Sequence, residues 1–501
     1  MPRSTFTQPL TLLPLVLAMG LATTAQAQSL VELYQAAQSY DSAYQAAQAQ
    51  LNATAAKVDQ ARALYAPSVN FQAGLKRGWV QGGSSSDSTS SSNTTSTTGI
   101  SSVVTTANST SIADSNSDTA QTDGTLGVQL TQPLYNRLNQ VLITQAQRSI
   151  AIAEAGLRAT QQDLMVRVSS AYFDVLAASD SLAFVRAQKA AVAEQLASAK
   201  RNFEVGTATI TDTREAQARF DLVIAQEIAT ENDLTIKKSL LNQQVGTQNA
   251  QPIGVRLPLL LPAVAGNEAE WTASTEQNQA QVQSKRIELE LAQLESEKSR
   301  AATAPSLTLN AAIGKSTAWG GTGTTSNQSS SSSSTSTASG LTTSSNTVQS
   351  NNNTRPNDGQ SASVGITLTI PMFTGRTLDA KLKETVSLEE KARNDLETVR
   401  RNALQVTRTA FYGVQSGIGQ VKAFEAAEVS SQSALDANRL GYQVGVRINI
   451  DVLNSQSQLF DTKAKLAKAR YDVLVGGLKL RQAAGTLAES HLQEINALLD
   501  K

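Results

Sequence analysis

The chain is written twice, and that duplication limits its fold more than any other feature. Residues 203–215 read FEVGTATITDTRE and residues 442–454 read YQVGVRINIDVLN. Each has an aromatic residue, a Val-Gly pair (Val205-Gly206 and Val444-Gly445) and an Asp six residues after the Gly (Asp212 and Asp451). Only 3 of the 13 positions are identical, but the match extends in both directions with its spacing intact. Ala-Pro-Ser occurs at 66–68 and again at 304–306, and Pro133 and Pro371 each follow the Pro of their own motif by 66 positions. Gly206 to Gly246 and Gly445 to Gly485 are both 40 positions. Tyr172-Phe173 aligns with Phe411-Tyr412. The offset is 238 before a one-residue insertion near Gly375 and 239 after it. This period is too long for a solenoid of small repeats. One large unit is used twice.

Each half has the same parts. A helix spans about 29–65 in the first half and about 270–302 in the second. Next comes an alternating segment, with Val69, Phe71, Ala73 and Leu75 on one parity and, in the second half, Leu307, Leu309, Ala311 and Ile313. A Ser/Thr/Asn-rich tract comes after it, and then a second alternating segment carrying Leu126, Val128 and Leu130, or Val364, Ile366, Leu368 and Ile370. Period two with one apolar and one polar or small face describes a strand between two solvents. The spacing predicts strands over about 68–79, 124–133, 306–318 and 361–371, close to the roughly 9–11 residues that cross an outer membrane. Pro133 and Pro371 are expected to close the returning strands. The tracts over about 81–123 and 321–360 are expected to be extracellular low-complexity loops, and their composition alone reads as disordered.

Beyond each Pro, residues about 137–204 and 376–443 contain no Pro and few Gly. Roughly 68 residues at about 1.5 Å each make about 100 Å of helix, far longer than a globular helix. The Val-Gly pairs break these helices, because Gly accepts the left-handed cap. A second helix then returns over about 209–245 and 448–484. Clean Leu/Ile heptads, which a simple coiled coil shows, are absent.

Composition excludes other classes. The 42 basic and 42 acidic side chains balance, so nothing draws nucleic acid. There is no Cys, hence no thiol nucleophile, disulfide, thiolate metal site or Cys-borne lipid anchor. The one His, His491, stands alone near the C-terminus and reads as a surface residue. No site stands out for acid–base chemistry, so no enzyme and no cofactor are expected. Arg3, the apolar run 10–22 and Ala-Gln-Ala at 25–27 predict a signal peptide over 1–27 and export. No later run reaches the roughly 18–20 apolar residues of a membrane helix.

Four strands cannot close a barrel, and an open edge in lipid leaves backbone groups unpaired. Closure must come from several chains; three copies give twelve strands and a twelve-rod helical tube, while pattern alone leaves two or four open. With these parts in place, the chain resembles the TolC family of outer-membrane efflux proteins over essentially its whole mature length. The resemblance implies a mixed α/β membrane protein: a trimeric TolC-like fold with a 12-stranded transmembrane β-barrel, four strands per chain, continuous with a long periplasmic α-helical barrel. The expected organisation is a first repeat over 28–246, a Pro-bearing equatorial linker over 247–269, a second repeat over 270–486 and a tail over 487–501. The implied partners are two further copies, outer-membrane lipid, a periplasmic adaptor (membrane fusion) protein and an inner-membrane RND or ABC transporter. The implied function is a passive exit duct for efflux or type I secretion.

The resemblance also implies a gate at the periplasmic tip. It assigns the closing network to Tyr442 and Arg447, reaching Thr211 and Asp212. Arg can fork onto a carboxylate and a phenol can donate to one. Arg470 matches another Arg of the tip region, one that pairs between chains. Asp451 matches an acidic ring at the narrowest point, and three copies would draw cations. One turn on, where the family has a second Asp, this chain has Asn454, which predicts weaker block by multivalent cations. The long hydroxyl-rich tracts are a further departure. The competing reading is a trimeric surface adhesin with a helical stalk, whose membrane strands would gather at the C-terminus.

Overall fold

The computed structural model describes residues 28–80, 88–98, 101–111, 119–207, 209–256, 266–319, 328–337, 343–351, 358–373 and 376–499. The expected signal peptide and the linker's 257–265 lie outside the described residues.

The entry segment is two helices in each half, not the single helix expected. Helix α1 (Leu30–Tyr40) gives way to α2 (Ser42–Arg62) at Asp41, whose backbone is extended (φ −64, ψ 115) and whose carboxylate accepts the Tyr44 amide at 2.7 Å. A side chain that caps the next helix competes with continuation of the last one.

The first half then runs β1 (Ser68–Val80), β2 (Ser88–Thr98), β3 (Ser101–Ser111), β4 (Thr119–Asn136), α3 (Arg137–Glu204) and α4 (Ile210–Val245). The second runs α5 (Glu268–Asn278), α6 (Ala280–Ala301), β5 (Ser306–Trp319), β6 (Gln328–Thr337), β7 (Thr343–Asn351), β8 (Asp358–Thr369), α7 (Thr377–Gln443) and α8 (Asn449–Ala483), with α9 (Glu489–Asn496) at the end. The break at Asp41 recurs 238 positions later between α5 and α6, where Gln279 (φ −66, ψ 124) accepts the Val282 amide at 2.7 Å.

Two antiparallel sheets form, ordered β1-β4-β5-β8 and β2-β3-β6-β7. The second sheet corrects the reading of the Ser/Thr/Asn tracts as loops. Ladder hydrogen bonds need only backbone, and Thr and Val favour the extended form. In the first sheet Phe71 pairs with Val128, Val128 with Ile313 and Ile313 with Ala362. The neighbouring row is Val69, Leu130, Ala311 and Val364. The apolar parity therefore falls on one face across all four strands, and Phe71, Ile313 and Val364 are each more than 60 % exposed there. The opposite face carries rows such as Gln72, Gly127, Gly314 and Ser361, with the Asn310 amide donating to Thr367 at 3.1 Å. Trp319 at one end, and Tyr135 and Phe373 at the other, are exposed aromatics at the sheet's rims, where outer-membrane barrels carry girdles. Pro133 does not close its strand: β4 continues to Asn136, and its register against β5 shifts between Pro133 and Tyr135. Pro lacks the ladder donor, and a bulge absorbs that loss without ending the strand. Pro371 lies two residues beyond β8.

Helices α3 and α7 have 68 and 67 residues, about 100 Å each. Among the described residues no helix is long and apolar enough to cross a membrane. The largest core lies midway along α3, where Leu164, Met165, Tyr172 and Phe173 meet α1, α8 and α9. Phe173 stacks on Tyr471 of α8 with ring centroids 5.6 Å apart, and the Tyr172 hydroxyl donates to the Ile253 carbonyl at 2.8 Å. The Tyr471 hydroxyl donates to Asp180 at 2.7 Å; burial raises the Asp180 pKa, and this hydrogen bond only partly offsets it. Helices α7 and α8 approach closely through small residues: a Cβ on Gly417 would lie 2.9 Å from Val473, and one on Gly476 3.2 Å from Val414.

Candidate gate at the helical tips

Both long helices end in the same turn. In the first, the Gly206 amide donates to the Phe203 carbonyl at 3.0 Å and the Thr207 amide to Asn202 at 2.8 Å. In the second, Gly445 donates to Tyr442 at 3.2 Å and Val446 to Gly441 at 2.9 Å. These paired bonds satisfy the last carbonyls of a helix, and they require a left-handed residue. Gly206 (φ 78) and Gly445 (φ 81) supply it, and Val205 and Val444 before them are 73 % and 65 % exposed.

The returning helices start differently. At α4, Thr209 and Asp212 form a reciprocal capping box: the Thr209 amide and hydroxyl donate to the Asp212 carboxylate at 3.0 and 2.7 Å, and the Asp212 amide donates back to Thr209 Oγ1 at 3.2 Å. At α8, Ile448 occupies the cap position and its side chain satisfies nothing.

Within a protomer the structure does not join the residues expected to form the network. Among the described residues, no hydrogen bond links Tyr442 or Arg447 to Thr211 or Asp212. Asp212 caps its own helix, and Thr211 is exposed. Tyr442 packs beside Leu435, Val452 and Leu459. Arg447 faces Asp451 across one turn at 3.6 Å, and its stem lies over Gly441, where an added Cβ would meet Arg447 Cγ at 2.6 Å. Asp451 therefore sits half-buried in the first turn of α8, where the helix dipole favours an anion. Asn454, one turn on, is exposed. Arg470 lies 21 residues into α8, about 32 Å from its start, and pairs with Glu425 of α7 at 2.9 Å.

The link that does join the two tips was missed by sequence reading. Asn449, fully buried, donates to the Asp212 carbonyl at 3.2 Å and accepts the Gln195 amide at 2.5 Å. It ties α8 to α4 and α3 at once. The available signal was an Asn at the first helical position after an apolar cap, which no helix-start rule explains. The tips also expose Ile210, Val446 and Ile448, 49 %, 75 % and 60 % accessible.

An apolar-faced β-sheet mounted on paired helices of about 100 Å, each pair ending in a glycine-broken tip, defines the class of outer-membrane channel proteins with a helical barrel. The chain belongs to the outer membrane efflux protein family, whose model matches residues 33–247 and 271–486. It is 29 % identical to the outer membrane protein TolC of Vibrio cholerae over 494 residues, 97 % of this chain and 98 % of that one. It is 29 % identical to the alkaline protease secretion protein AprF of Pseudomonas aeruginosa over 372 residues, 74 % of this chain and 71 % of that one. The fold resembles that of the outer membrane protein VceC of Vibrio cholerae, with a TM-score of 0.66 at 17 % identity, covering 91 % of this chain and 96 % of that one. The two family matches coincide with the two copies of the duplicated unit.

Proposed function

We propose that three copies of this chain form a passive exit duct in the outer membrane. The duct receives cargo from an inner-membrane RND or ABC transporter through a periplasmic adaptor. The observation that carries this reading is the first sheet. One face is apolar and exposed, the other is polar, and its outer strands β1 and β8 each have a single neighbour among the described residues. In lipid those edge groups cost several kcal/mol each unless paired, and three copies pair all of them in a twelve-stranded wall. The helices continue the wall through the periplasm. The similarity to a protein named for alkaline protease secretion supports type I secretion as one use of the duct, beside efflux. The adhesin reading is disfavoured because the strands lie mid-way through each half, flanked by helices on both sides.

The gate lies at the tips. Tyr442 and Arg447 engage Thr211 and Asp212 where the two hairpins of the assembled tube meet, and three Asp451 carboxylates ring the aperture beside Asn454. Arg470, held by Glu425 within one chain, braces the hairpin. The exposed valines and isoleucines of the tips form an apolar collar for the adaptor. The test is the mass and shape of protein extracted from outer membranes, by light scattering and electron microscopy, together with conductance in planar bilayers. A trimeric rod well over 100 Å long that conducts is expected. A compact monomer in the soluble fraction would sink the proposal.

A further inference from the structure

The second sheet repeats the plan of the first. β2 follows β1, β3 leads into β4, β6 follows β5 and β7 leads into β8, so the order β2-β3-β6-β7 is the order β1-β4-β5-β8 carried outward. The register continues as well. Ser68 pairs with Thr131 and Ser88 with Ser111, an advance of 20 positions on both strands. Thr122 pairs with Trp319 and Thr110 with Ser331, an advance of 12 on both. Only the last pair slips: from Thr317 with Asp358 to Gln328 with Asn351 is 11 positions on one strand and 7 on the other. At the seam between the two halves, the β4–β5 and β3–β6 ladders thus share one register.

The outer strands of this upper sheet, β2 (STSSSNTTSTT) and β7 (TSSNTVQSN), contain no charge, no Pro and no Gly. Solitary edge strands are ordinarily blunted by such residues, because a long uncharged edge invites another strand. Here 11 residues at one edge and 9 at the other lack every such safeguard.

We propose that this edge is an interface between copies: β7 of one protomer pairs with β2 of the next, closing a second, hydroxyl-rich storey of twelve strands above the membrane barrel. This rests on the reading of the chain as a trimeric duct. The occupant is a second copy because β2 follows β1 and β7 precedes β8 in the chain, and β1 and β8 are the edges that the barrel itself must close. Eleven residues of β2 at about 3.3 Å each, tilted about 40°, raise the wall by about 28 Å. The duct then discharges beyond the lipid surface through a polar chimney.

The absence of Cys makes the test clean. Ser92→Cys in β2 is combined in turn with Ser344→Cys, Ser345→Cys, Asn346→Cys, Thr347→Cys and Val348→Cys in β7. A parallel series pairs Gln72→Cys in β1 with Cys at successive positions 361–366 of β8. Membranes are oxidised with copper phenanthroline, and only variants that conduct as well as the parent are scored. Cross-strand neighbours lie within disulfide reach, so one β7 position, or two of like parity, should convert most of the protein to a covalent trimer. Cross-linking of the barrel series with none in the storey series would overturn the chimney and leave the duct standing. Conducting variants that cross-link in neither series would overturn both.

Discussion

The two hairpin tips share one turn and differ in how the next helix begins. Both end in a left-handed Gly with the same pair of closing hydrogen bonds. After the first, a capping box holds α4; after the second, Ile448 leaves the start of α8 uncapped. The aromatic pairs higher up differ in the same sense. Tyr172-Phe173 and Phe411-Tyr412 have nearly the same ring geometry, 5.4 Å and 75° against 5.5 Å and 76°. Yet Phe173 is buried, whereas its counterpart Tyr412 is 54 % exposed, with its hydroxyl on Glu268 at 2.6 Å. Duplication supplied two hairpins of one plan, and their cap residues and aromatic pairs now sit in different surroundings.

The largest predicted difference is in the cores. Phe173→Ala removes a buried ring that stacks on Tyr471, and it should cost about 3–5 kcal/mol. Tyr412→Ala, at the duplicate aromatic pair, should cost less, because in the protomer about half of its surface is already exposed and the main loss is the hydrogen bond to Glu268. Equal losses would show that the two aromatic pairs carry the same load despite their different exposure. Asp180→Asn belongs to the same core. The folded Asp180 carboxyl titrates above its ordinary value because of burial, so its stabilising form is the protonated one. That contribution is complete below about pH 4, the unfolded value, and is lost as pH rises through the folded pKa. Asn keeps an acceptor for Tyr471. The variant should therefore melt higher than the parent at neutral pH and level with it in acid; the same gap at both would remove Asp180 as its source.

Next in size is the clasp between the tips. Asn449→Ala leaves the Gln195 amide without its partner and frees the Asp212 carbonyl. For part-buried groups such a loss is at the low end of the range, about 1 kcal/mol. The variant should raise hydrogen exchange in the first turns of α8 more than in α4, and should increase bilayer conductance. Faster exchange in α4 alone would mean that the clasp serves the first hairpin.

Much of this was legible in the sequence, because the signals were of the right length scale. The turns at Gly206 and Gly445 could be placed from one residue type in one backbone region, and the apolar faces of β1, β4, β5 and β8 from period two alone. What escaped depended on competition or on distance. The breaks at Asp41 and Gln279 required a single side chain to outweigh helix continuation. The second sheet required the composition of a disordered tract to yield to pairing between halves of the chain. Asn449 meets Gln195 across 254 positions, and no local pattern encodes that. Pro133 was placed correctly but given too much power, since the bulge after it lets β4 run on.

Capping offers a direct exchange between the tips. Thr209→Ala should weaken the first by about 1 kcal/mol, and Ile448→Ser should strengthen the second by a similar amount if Ser accepts the exposed amides of α8. Ser at 448 should then slow exchange at the start of α8 and lower the frequency of channel openings. Unchanged openings with slowed exchange would show that α8 does not fray when the gate opens.

The smallest effect expected in free energy falls on the pair proposed to ring the aperture. Arg447 and Asp451 face each other at 3.6 Å, with side chains 58 % and 34 % exposed. Such a pair is worth about 0–1 kcal/mol, so Arg447→Ser should leave assembly and thermal stability almost unchanged. Its consequences lie in the field. In the proposed trimer, removing the cation one turn from each Asp451 would leave three carboxylates unneutralised around one opening, and a narrow low-dielectric mouth would focus their charge. Conductance should rise, cation preference should strengthen, and both changes should fade as ionic strength shortens the screening length from about 10 Å at 0.1 M to about 3 Å at 1 M. Arg447→Ser combined with Asp451→Ala should keep the higher conductance and lose the cation preference. If the double variant stayed as cation-selective as Arg447→Ser alone, the filter would lie elsewhere on the second hairpin and Asp451 would only cap its helix.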